Sequence, residues 1–207
     1  MLRSSRAALY GAALLLSALV STDAAQAATR FFLFDPPPGR SLSDGKPKAG
    51  VQLKQGKVKM DRKYMRQVVA YKTKEKAGTI VVNTGDKFLY LVLGDGKALR
   101  YGIGTARTGF EWSGTHKITN KREWPGWTPP AEMKKRQPNL PDYMPGGVNN
   151  PLGARALYIG STLYRIHGTN EPWTIGQDVS SGCIRMVNAD VEDLYERVKI
   201  GAKVIVL

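Results

Sequence analysis

Residues 79–103 read TIVVNTGDKFLYLVLGDGKALRYGI, and this stretch decides the fold class. Two apolar runs, 79–82 and 88–93, flank the turn-forming sequence NTGD, which is typical of a β-hairpin. The second run is apolar on both faces, as expected of a strand buried at the centre of a sheet. Because the turn at 94–96 leads into a third run at 99–103, the stretch predicts a three-stranded meander.

Further strands are predicted downstream, at 156–159, 163–166 and 204–207. One helix is predicted to begin at Asn188, which is a good N-cap residue. Acidic residues follow in its first turn, and apolar residues continue at helical spacing up to Val198. The sequence therefore predicts a mostly β domain with a short C-terminal helix.

Residues 108–153 contain seven prolines and few apolar runs. Such a long excursion is typical of lids and binding loops, so we predict a lid loop rich in proline and glycine. The four tryptophans lie in or near it, at Trp112, Trp124, Trp127 and Trp173. They either line a groove for sugar or peptide or fill the core, as aromatic residues commonly do.

Residues 1–27 show the three parts of a cleavable secretory signal, namely a basic start, an apolar stretch at 7–20 and the small-residue site AQA at 25–27. The apolar stretch is shorter than the about 20 residues that span a bilayer. Residues 28–63 are rich in Pro, Gly, Lys and Ser and predict a flexible basic leader. We therefore expect a folded domain at 64–207 and a product without a transmembrane span, exported to the periplasm.

The chain carries a formal net charge of +14. For an exported protein, the polyanions within reach are cell-wall polymers and membrane surfaces. A basic surface that only interacts with solvent is the alternative. Because the sequence has no dense run of like charges and no repeat of basic and aromatic residues, no nucleic-acid partner is expected.

Cys183 is the single cysteine and lies in SSGCIRM at 180–186, downstream of RIHGT at 165–169. Structural cysteines in exported proteins normally form disulfides, so a lone thiol is either a buried small hydrophobe or a nucleophile. A nucleophilic thiol needs a nearby base or positive charge, and His167, at a predicted strand end, is the candidate base. This pair indicates nucleophilic catalysis.

Residues around Cys183 are candidates for binding the substrate. Gly182 allows main-chain N–H groups to come close to an oxyanion. Arg185, two positions after the nucleophile, either holds a substrate carboxylate or forms an ordinary ion pair. Ser180 and Ser181 either contact the substrate or histidine or shape the turn.

His116 is the other histidine, and we predict that it occupies a surface position on a strand. Two histidines and one cysteine without the usual ligand spacing give no indication of a metal site. Neither a metal nor another cofactor is expected.

Taken together, these motifs resemble the L,D-transpeptidase catalytic domain. The resemblance covers residues from about 67 to 207 and rests first on HGT at 167–169 and SxGCIRM at 180–186. Further matching segments are WSG at 112–114, EWP at 123–125, WTPP at 127–130, NPLG at 150–153 and ALY at 156–158. Some members of the family have a second histidine where this chain has Ser181.

The resemblance implies a domain of mixed β-sheets, arranged as a sandwich or barrel. It implies that Cys183 attacks the tetrapeptide stem of peptidoglycan, releases D-alanine and forms a thioester, with His167 as base. The implied substrate-binding and oxyanion residues are Gly182, Ser181, Ser180, Arg185, Gly168 and Thr169.

Three acyl acceptors are compatible with this chemistry. An amine of a neighbouring stem gives a 3→3 cross-link, a lysine of an outer-membrane lipoprotein gives an anchored protein, and water gives carboxypeptidation. Two alternatives stay open, a cysteine hydrolase that trims or detaches wall peptides and a basic peptidoglycan-binding protein without activity. Each of them places the protein at the cell wall.

Overall fold

A computed structural model describes residues 61–207, in which eleven β-strands and two α-helices are formed. The strands are β1 (Gln67–Ala70), β2 (Ile80–Asn83), β3 (Phe88–Gly94), β4 (Lys97–Gly102), β5 (Thr105–Ala106), β6 (Gly114–Glu123), β7 (Arg155–Ile159), β8 (Arg165–His167), β9 (Asp178–Ser180), β10 (Ile184–Arg185) and β11 (Lys203–Val206). The helices are α1 (Ala131–Arg136) and α2 (Asn188–Arg197). The mostly β fold class is confirmed.

The predicted signal sequence and nearly all of the predicted leader lie outside the described residues. The domain boundaries therefore stay predictions. Within residues 61–207, neither helix has the length and apolar character needed to cross a membrane.

Nine strands form one mixed sheet in the order β1-β4-β3-β2-β11-β6-β7-β8-β10. The pairs β2–β11 and β8–β10 are parallel, and a separate parallel pair joins β5 to β9. A bridge between Gly104 and Arg185 sets the segment after β4 against β10. Because the far strand of the sheet thus returns to the region of β4, the sheet curls into a barrel-like form.

The meander predicted from residues 79–103 is confirmed, since β2, β3 and β4 pair consecutively in antiparallel register. The strand buried on both faces, however, is β2 rather than β3. Ile80, Val81 and Val82 are all at most 4% exposed, whereas Leu93 at the end of β3 is 41% exposed.

The proline-rich segment is shorter than the predicted 108–153, because β6 occupies residues 114–123. Most side chains of β6 are polar and at least partly exposed, and Ile118 is the fully buried one. The strand therefore lacks the apolar alternation that identifies strands in a sequence. It is held instead by backbone pairing on both edges, with β11 on one side and β7 on the other.

Helix α2 packs on β7 and β8 through Val191 and Leu194, which are fully buried. The helix predicted here is confirmed, but the prediction that Asn188 caps it is wrong. Val187 is the N-cap residue, and the Oδ1 atom of Asn188 accepts from Ala154 and Thr169 outside the helix. At the other end, Lys121 Nζ donates to the carbonyls of Tyr195 and Val198, which satisfies acceptors that a helix C-terminus leaves open.

An ion-pair network joins α2 to the segment before β1. Asp193 binds Arg66 at 2.9 Å, accepts from both Nε and Nη2 of Arg197, and accepts a hydrogen bond from Tyr101. Asp190 is only 6% exposed, and its carboxylate lies 3.9 Å from Arg66 Nε. Burial raises the pKa of Asp190 to about 6, so the attraction of Arg66 does not offset the loss of solvation.

Asp190→Asn should stabilise the protein at pH 7.5 and leave it nearly unchanged at pH 4. The pKa of this carboxyl is raised in the folded state from 3.8 to about 6. Stability is therefore lost as the pH rises from about 4 through about 6. A shift of about two units corresponds to about 3 kcal/mol. Because the charge also favours a helix N-terminus by about 0.5–1 kcal/mol, we expect a net gain of about 2 kcal/mol. Urea unfolding of both proteins at pH 7.5 and pH 4 measures this difference in the free energy of unfolding. An equal difference at the two pH values would contradict the prediction.

Candidate active site

The two sequence motifs are brought together by a parallel pair of strands. His167 ends β8, and Cys183 immediately precedes β10. The register sets Arg185 opposite His167 and Ile184 opposite Ile166. Both isoleucines are buried in the hydrophobic core. Since side chains alternate between the faces of a strand, Cys183, Arg185 and His167 belong to the opposite face.

Cys183 is two residues before Arg185 and therefore lies diagonal to His167 across the strand pair. Neighbouring strands are about 4.8 Å apart, and two residues of a strand span about 6.6 Å, which gives a Cα–Cα separation of about 8 Å. Thiol and imidazole side chains on one face of a sheet can bridge such a separation. The register thus sets the predicted base opposite Arg185, which is two residues after the predicted nucleophile.

His167 is only 3% exposed, and its tautomer follows from a backbone contact. Its Nδ1 lies 2.5 Å from the carbonyl oxygen of Gly168. Because a carbonyl oxygen can only accept, Nδ1 carries the proton and Nε2 carries the lone pair. Burial and, to a smaller extent, the positive charge of Arg185 lower the pKa of His167 to about 3, against the opposing effect of backbone hydrogen bonds with Gly168 and Leu152. His167 is therefore a neutral imidazole at physiological pH, with Nε2 able to accept a proton.

Arg185 is held in an ion pair on the same face. Its Nη1 donates to Glu171 Oε2 at 3.0 Å. The Arg185 side chain is 18% exposed and the Glu171 side chain 44% exposed, so solvent reaches the carboxylate more easily than the guanidinium. The ion pair considered from the sequence is thus present, and its partner is a residue that the sequence pattern did not single out.

Ser180 shapes the turn that carries Cys183. Its Oγ donates to the carbonyl oxygen of Cys183 at 2.6 Å and accepts from the N–H of Gly182 at 3.2 Å. These two bonds close the turn over three residues. The neighbouring Ser181 Oγ is buried and has no hydrogen-bond partner among residues 61–207.

Gly182 is required by both its conformation and its surroundings. Its φ is +111°, in the region that favours glycine. A Cβ at this position would also overlap the ring of Tyr164. That ring stacks on Trp112 with centroids 4.4 Å apart, and Trp112 Nε1 donates to the carbonyl of Gly182 at 2.6 Å. The aromatic pair thus fixes the backbone directly before the nucleophile.

Gly168 and Thr169 lie against the first residue of α2. The Oδ1 atom of Asn188 accepts from the backbone N–H of Thr169 and from that of Ala154, both at 3.1 Å. The Thr169 hydroxyl accepts from the N–H of Glu171 at 2.9 Å. These bonds tie the segment after His167 to the helix and to the end of the proline-rich segment.

A cavity of about 240 Å³ lies beside the turn and is separate from the face of Cys183. Its lining residues are Thr84, Gly85, Lys87, Thr105, Ala106, Thr108, Glu111, Trp112, Asp178, Gly182 and Ile184. Asp178 binds Lys87 Nζ at 2.9 Å and accepts from Thr105 Oγ1 at 2.5 Å, so its carboxylate is engaged by the protein itself. Neither Cys183 nor His167 lines this cavity.

His116 lies on β6 and packs its ring edge-on against Trp112, at 5.6 Å between ring centroids. It is a strand residue, as predicted, and it does not pair with Cys183. Among residues 61–207, no group of three or more His, Cys, Asp or Glu side chains is arranged to hold a metal ion.

The sequence pattern missed three parts of the site. Glu171 has no motif of its own, and Tyr164 was assigned only to a strand. Asn188 was assigned to a helix cap, whereas its side chain binds the segment after His167. The only sequence signal for this role is the presence of glycines at 153 and 168 and of a short amide side chain at 188. Their relation becomes apparent only in the folded structure, where a Cβ at either glycine would overlap Asn188 Oδ1.

One known protein family matches most of the described part of this chain. Residues 77–206 match the model of the YkuD family, the L,D-transpeptidase catalytic domain. The chain belongs to this L,D-transpeptidase family.

Curated relatives carry the same family name. The L,D-transpeptidase domain is similar to the "Probable L,D-transpeptidase ErfK/SrfK" of Escherichia coli K12, with 40% identity over 134 residues, which cover 60% of this chain and 42% of the relative. It is similar to the "Probable L,D-transpeptidase YbiS" of the same organism, with 39% identity and coverage of 60% and 43%. The match thus spans about two fifths of the length of these curated relatives.

Several solved structures are similar to this chain. A structure titled as a probable carnitine operon oxidoreductase from Brucella melitensis is 46% identical, covers 73% of this chain and 98% of that one, and has a TM-score of 0.49. L,D-transpeptidase 3 from Mycobacterium tuberculosis is 19% identical, with coverage of 63% and 61% and a TM-score of 0.47.

In this L,D-transpeptidase domain, Gly182→Ala should lower the free energy of unfolding more than Gly109→Ala does. Both glycines have positive φ, +111° and +86°, so each alanine costs about 1–2 kcal/mol of backbone strain. Only the alanine at 182 also overlaps the Tyr164 ring, because nothing lies within 4 Å of a Cβ at 109. We expect a stability loss of about 3 kcal/mol or more for Gly182→Ala, typical of a strained and overpacked site. Urea unfolding and the rate of Cys183 alkylation by iodoacetamide measure the effects. Equal stability losses would show that Tyr164 does not restrict position 182.

Proposed function

We propose that this protein is a cell-wall L,D-transpeptidase with Cys183 as nucleophile and His167 as general base. The observation that supports the proposal is the register of β8 and β10, which sets His167 opposite Arg185, two residues after Cys183. Membership of the L,D-transpeptidase family supports the reaction type. The proposed donor is the tetrapeptide stem of peptidoglycan.

In the acylation step, Nε2 of His167 takes the thiol proton while Sγ bonds to the carbonyl carbon before the terminal D-alanine. The resulting tetrahedral intermediate collapses by breaking the C–N bond. His167 returns the proton to the departing amine, so D-alanine leaves and a thioester stays on Cys183. Positioned acid–base catalysis of this kind contributes about 10²–10⁴-fold.

Burial keeps the His167 ring unprotonated at rest, so we propose that it accepts a proton only during the reaction. Its pKa of about 3 means that a resting imidazolium is strongly disfavoured, because the ring is desolvated and lies near Arg185. The resting imidazole is therefore neutral. We propose that the proton moves as the carbon–sulfur bond forms, when the developing charges are close together.

Arg185 is our candidate for binding the carboxylate of the donor stem. It shares the face of His167 and presents a guanidinium, which binds carboxylates through paired hydrogen bonds. In the structure described here Glu171 supplies a carboxylate to Nη1 at 3.0 Å. The donor carboxylate would either displace Glu171, which is the more exposed partner, or bind beside it.

Main-chain N–H groups of the turn and the Ser181 hydroxyl are our candidates for stabilising the oxyanion. The N–H of Gly182 already donates to Ser180 Oγ, at 3.2 Å, a bond long enough to be shared. The Ser181 Oγ is buried beside Cys183 and has no partner among the described residues, so a donor is available there. Gly168 and Thr169 are proposed to serve the site by shaping the segment that follows His167.

The thioester is then attacked by an amine. Its proton passes through His167 to the departing thiolate, which restores the thiol and leaves an amide. We propose a stem amine or a lipoprotein lysine as the acceptor, with water giving the shortened stem as a side product. The same assay separates these acceptors by product mass.

We further propose that the protein acts outside the inner membrane. The substrate of such an enzyme is located there, and residues 1–27 have the anatomy of a secretory signal. The basic character of the chain supports attraction to anionic wall polymers.

Incubation with a disaccharide tetrapeptide tests the chemistry. The wild-type protein should gain the mass of the stem less D-alanine and then yield dimers or tripeptides. Cys183→Ser and Cys183→Ala should give no adduct, and His167→Ala should slow its formation by about 10²–10⁴-fold. His116→Ala is the matched control and should keep most of the rate, because His116 packs on Trp112 outside the proposed pair. Turnover by Cys183→Ala at the wild-type rate would refute the covalent mechanism.

Acylation by a carbapenem tests Arg185. Arg185→Lys should slow adduct formation at Cys183 and Arg185→Ala should slow it further, because an ammonium does not reproduce the planar fork of a guanidinium. Glu171→Gln removes the competing charge and should leave the rate equal or faster. Adduct mass against time gives the rates, and circular dichroism checks folding. If Arg185→Ala reacts as fast as wild type, Arg185 serves only the ion pair with Glu171.

The mature N-terminus tests export. Protein recovered from the periplasmic fraction should begin near Ala28, as expected of cleavage after AQA at 25–27. Intact-mass spectrometry of this fraction gives the terminus. An uncleaved chain retained in the membrane would contradict export by a cleavable signal.

A further inference from the structure

The side chain of Asn188 stands where three segments of the site meet. Its Oδ1 accepts from Ala154 N–H at the end of the proline-rich segment and from Thr169 N–H after β8. Asn188 is itself the first residue of α2. One oxygen atom therefore connects the helix, the proline-rich segment and the loop that begins with Gly168.

Two glycines make room for this oxygen. A Cβ at Gly153 or at Gly168 would overlap Asn188 Oδ1. Gly153 also has a φ of +63°, whereas the backbone of Gly168 is not in the left-handed region. At Gly168 the requirement for glycine therefore comes from the close approach of Asn188 and the neighbouring backbone rather than from the backbone conformation.

This contact bears on His167 through a single peptide group. The Gly168 carbonyl receives the proton of His167 Nδ1, at 2.5 Å. The next residue along, Thr169, gives its N–H to Asn188. That N–H and the Gly168 carbonyl belong to the same peptide plane, so the bond to Asn188 fixes the orientation of the acceptor that His167 uses.

We propose that Asn188 is a positioning residue for His167. By holding the Gly168–Thr169 peptide, it keeps the Gly168 carbonyl directed at Nδ1 and so keeps the lone pair on Nε2, facing the nucleophile. The catalytic part of this inference rests on the proposed function, whereas the structural part concerns the tautomer alone. Helix capping does not account for this residue, because Asn188 Oδ1 accepts from Ala154 and Thr169, which lie outside the helix.

The tautomer can be read directly because the chain has two histidines. Labelling with ¹⁵N-histidine gives signals for His167 and His116, and the ring-nitrogen shifts distinguish an Nδ1–H from an Nε2–H imidazole. His116 lies on β6 and serves as the internal control. In the wild-type protein we expect His167 as the Nδ1–H form.

Asn188→Ala should shift His167 towards a mixture of tautomers and slow carbapenem acylation of Cys183 by about 10²-fold, the scale of a misplaced catalytic group. Asn188→Asp keeps an oxygen that accepts from both N–H groups, so it should restore the tautomer and most of the rate. Asn83→Ala is the matched control. It removes an asparagine oxygen that accepts a backbone N–H, that of Asp86, at the distant β2–β3 turn. It should change neither readout.

The proposal is overturned if folded Asn188→Ala keeps both the wild-type tautomer and the wild-type rate. It is also overturned if folded Asn188→Asp loses the tautomer, since the acceptor oxygen is then not what matters. If Asn188→Ala does not fold, Asn188→Ser takes its place, because its shorter side chain cannot reach both N–H groups. If the wild-type protein forms no adduct at Cys183, the proposed function fails, and the tautomer comparison still decides the role of Asn188.

Discussion

The parallel pairing of β8 with β10 is the constraint on which the site depends. Backbone hydrogen bonds fix this pairing to the residue, and a slip by one position would exchange the faces of every side chain. Burial of Ile166 and Ile184 in the core opposes such a slip. The hydrophobic effect on one face thereby holds His167 and Arg185 on the other, next to the turn that carries Cys183.

That register also determines the electrostatics. Setting Arg185 opposite His167 adds a positive charge to a ring that is already desolvated, and both effects hold the imidazole neutral. The ion pair with Glu171 partly offsets the positive charge of Arg185. The strand register thus combines a buried, neutral imidazole with an arginine whose charge is paired.

Much of the strand order near residues 79–103 could be predicted because apolar runs and turn residues alternate there. The motifs also led to Cys183 and His167, since few residue types combine these roles. By contrast, β6 escaped prediction because pairing on two edges, rather than apolar side chains, holds it. Asn188 was assigned to a cap because local sequence favours that role, whereas tertiary contacts with Ala154 and Thr169 engage its side chain instead. Contacts between distant segments leave no periodic trace in a sequence.

The central place of β11 has a consequence for how the domain reaches its native state. It separates β2 from β6 and pairs with β2 across more than a hundred residues of chain. Until β11 arrives, the strands before and after it have no shared partner, and β2 presents an open edge. Formation of the barrel must therefore wait for the far end of the domain, which makes folding slow and late rather than progressive along the chain.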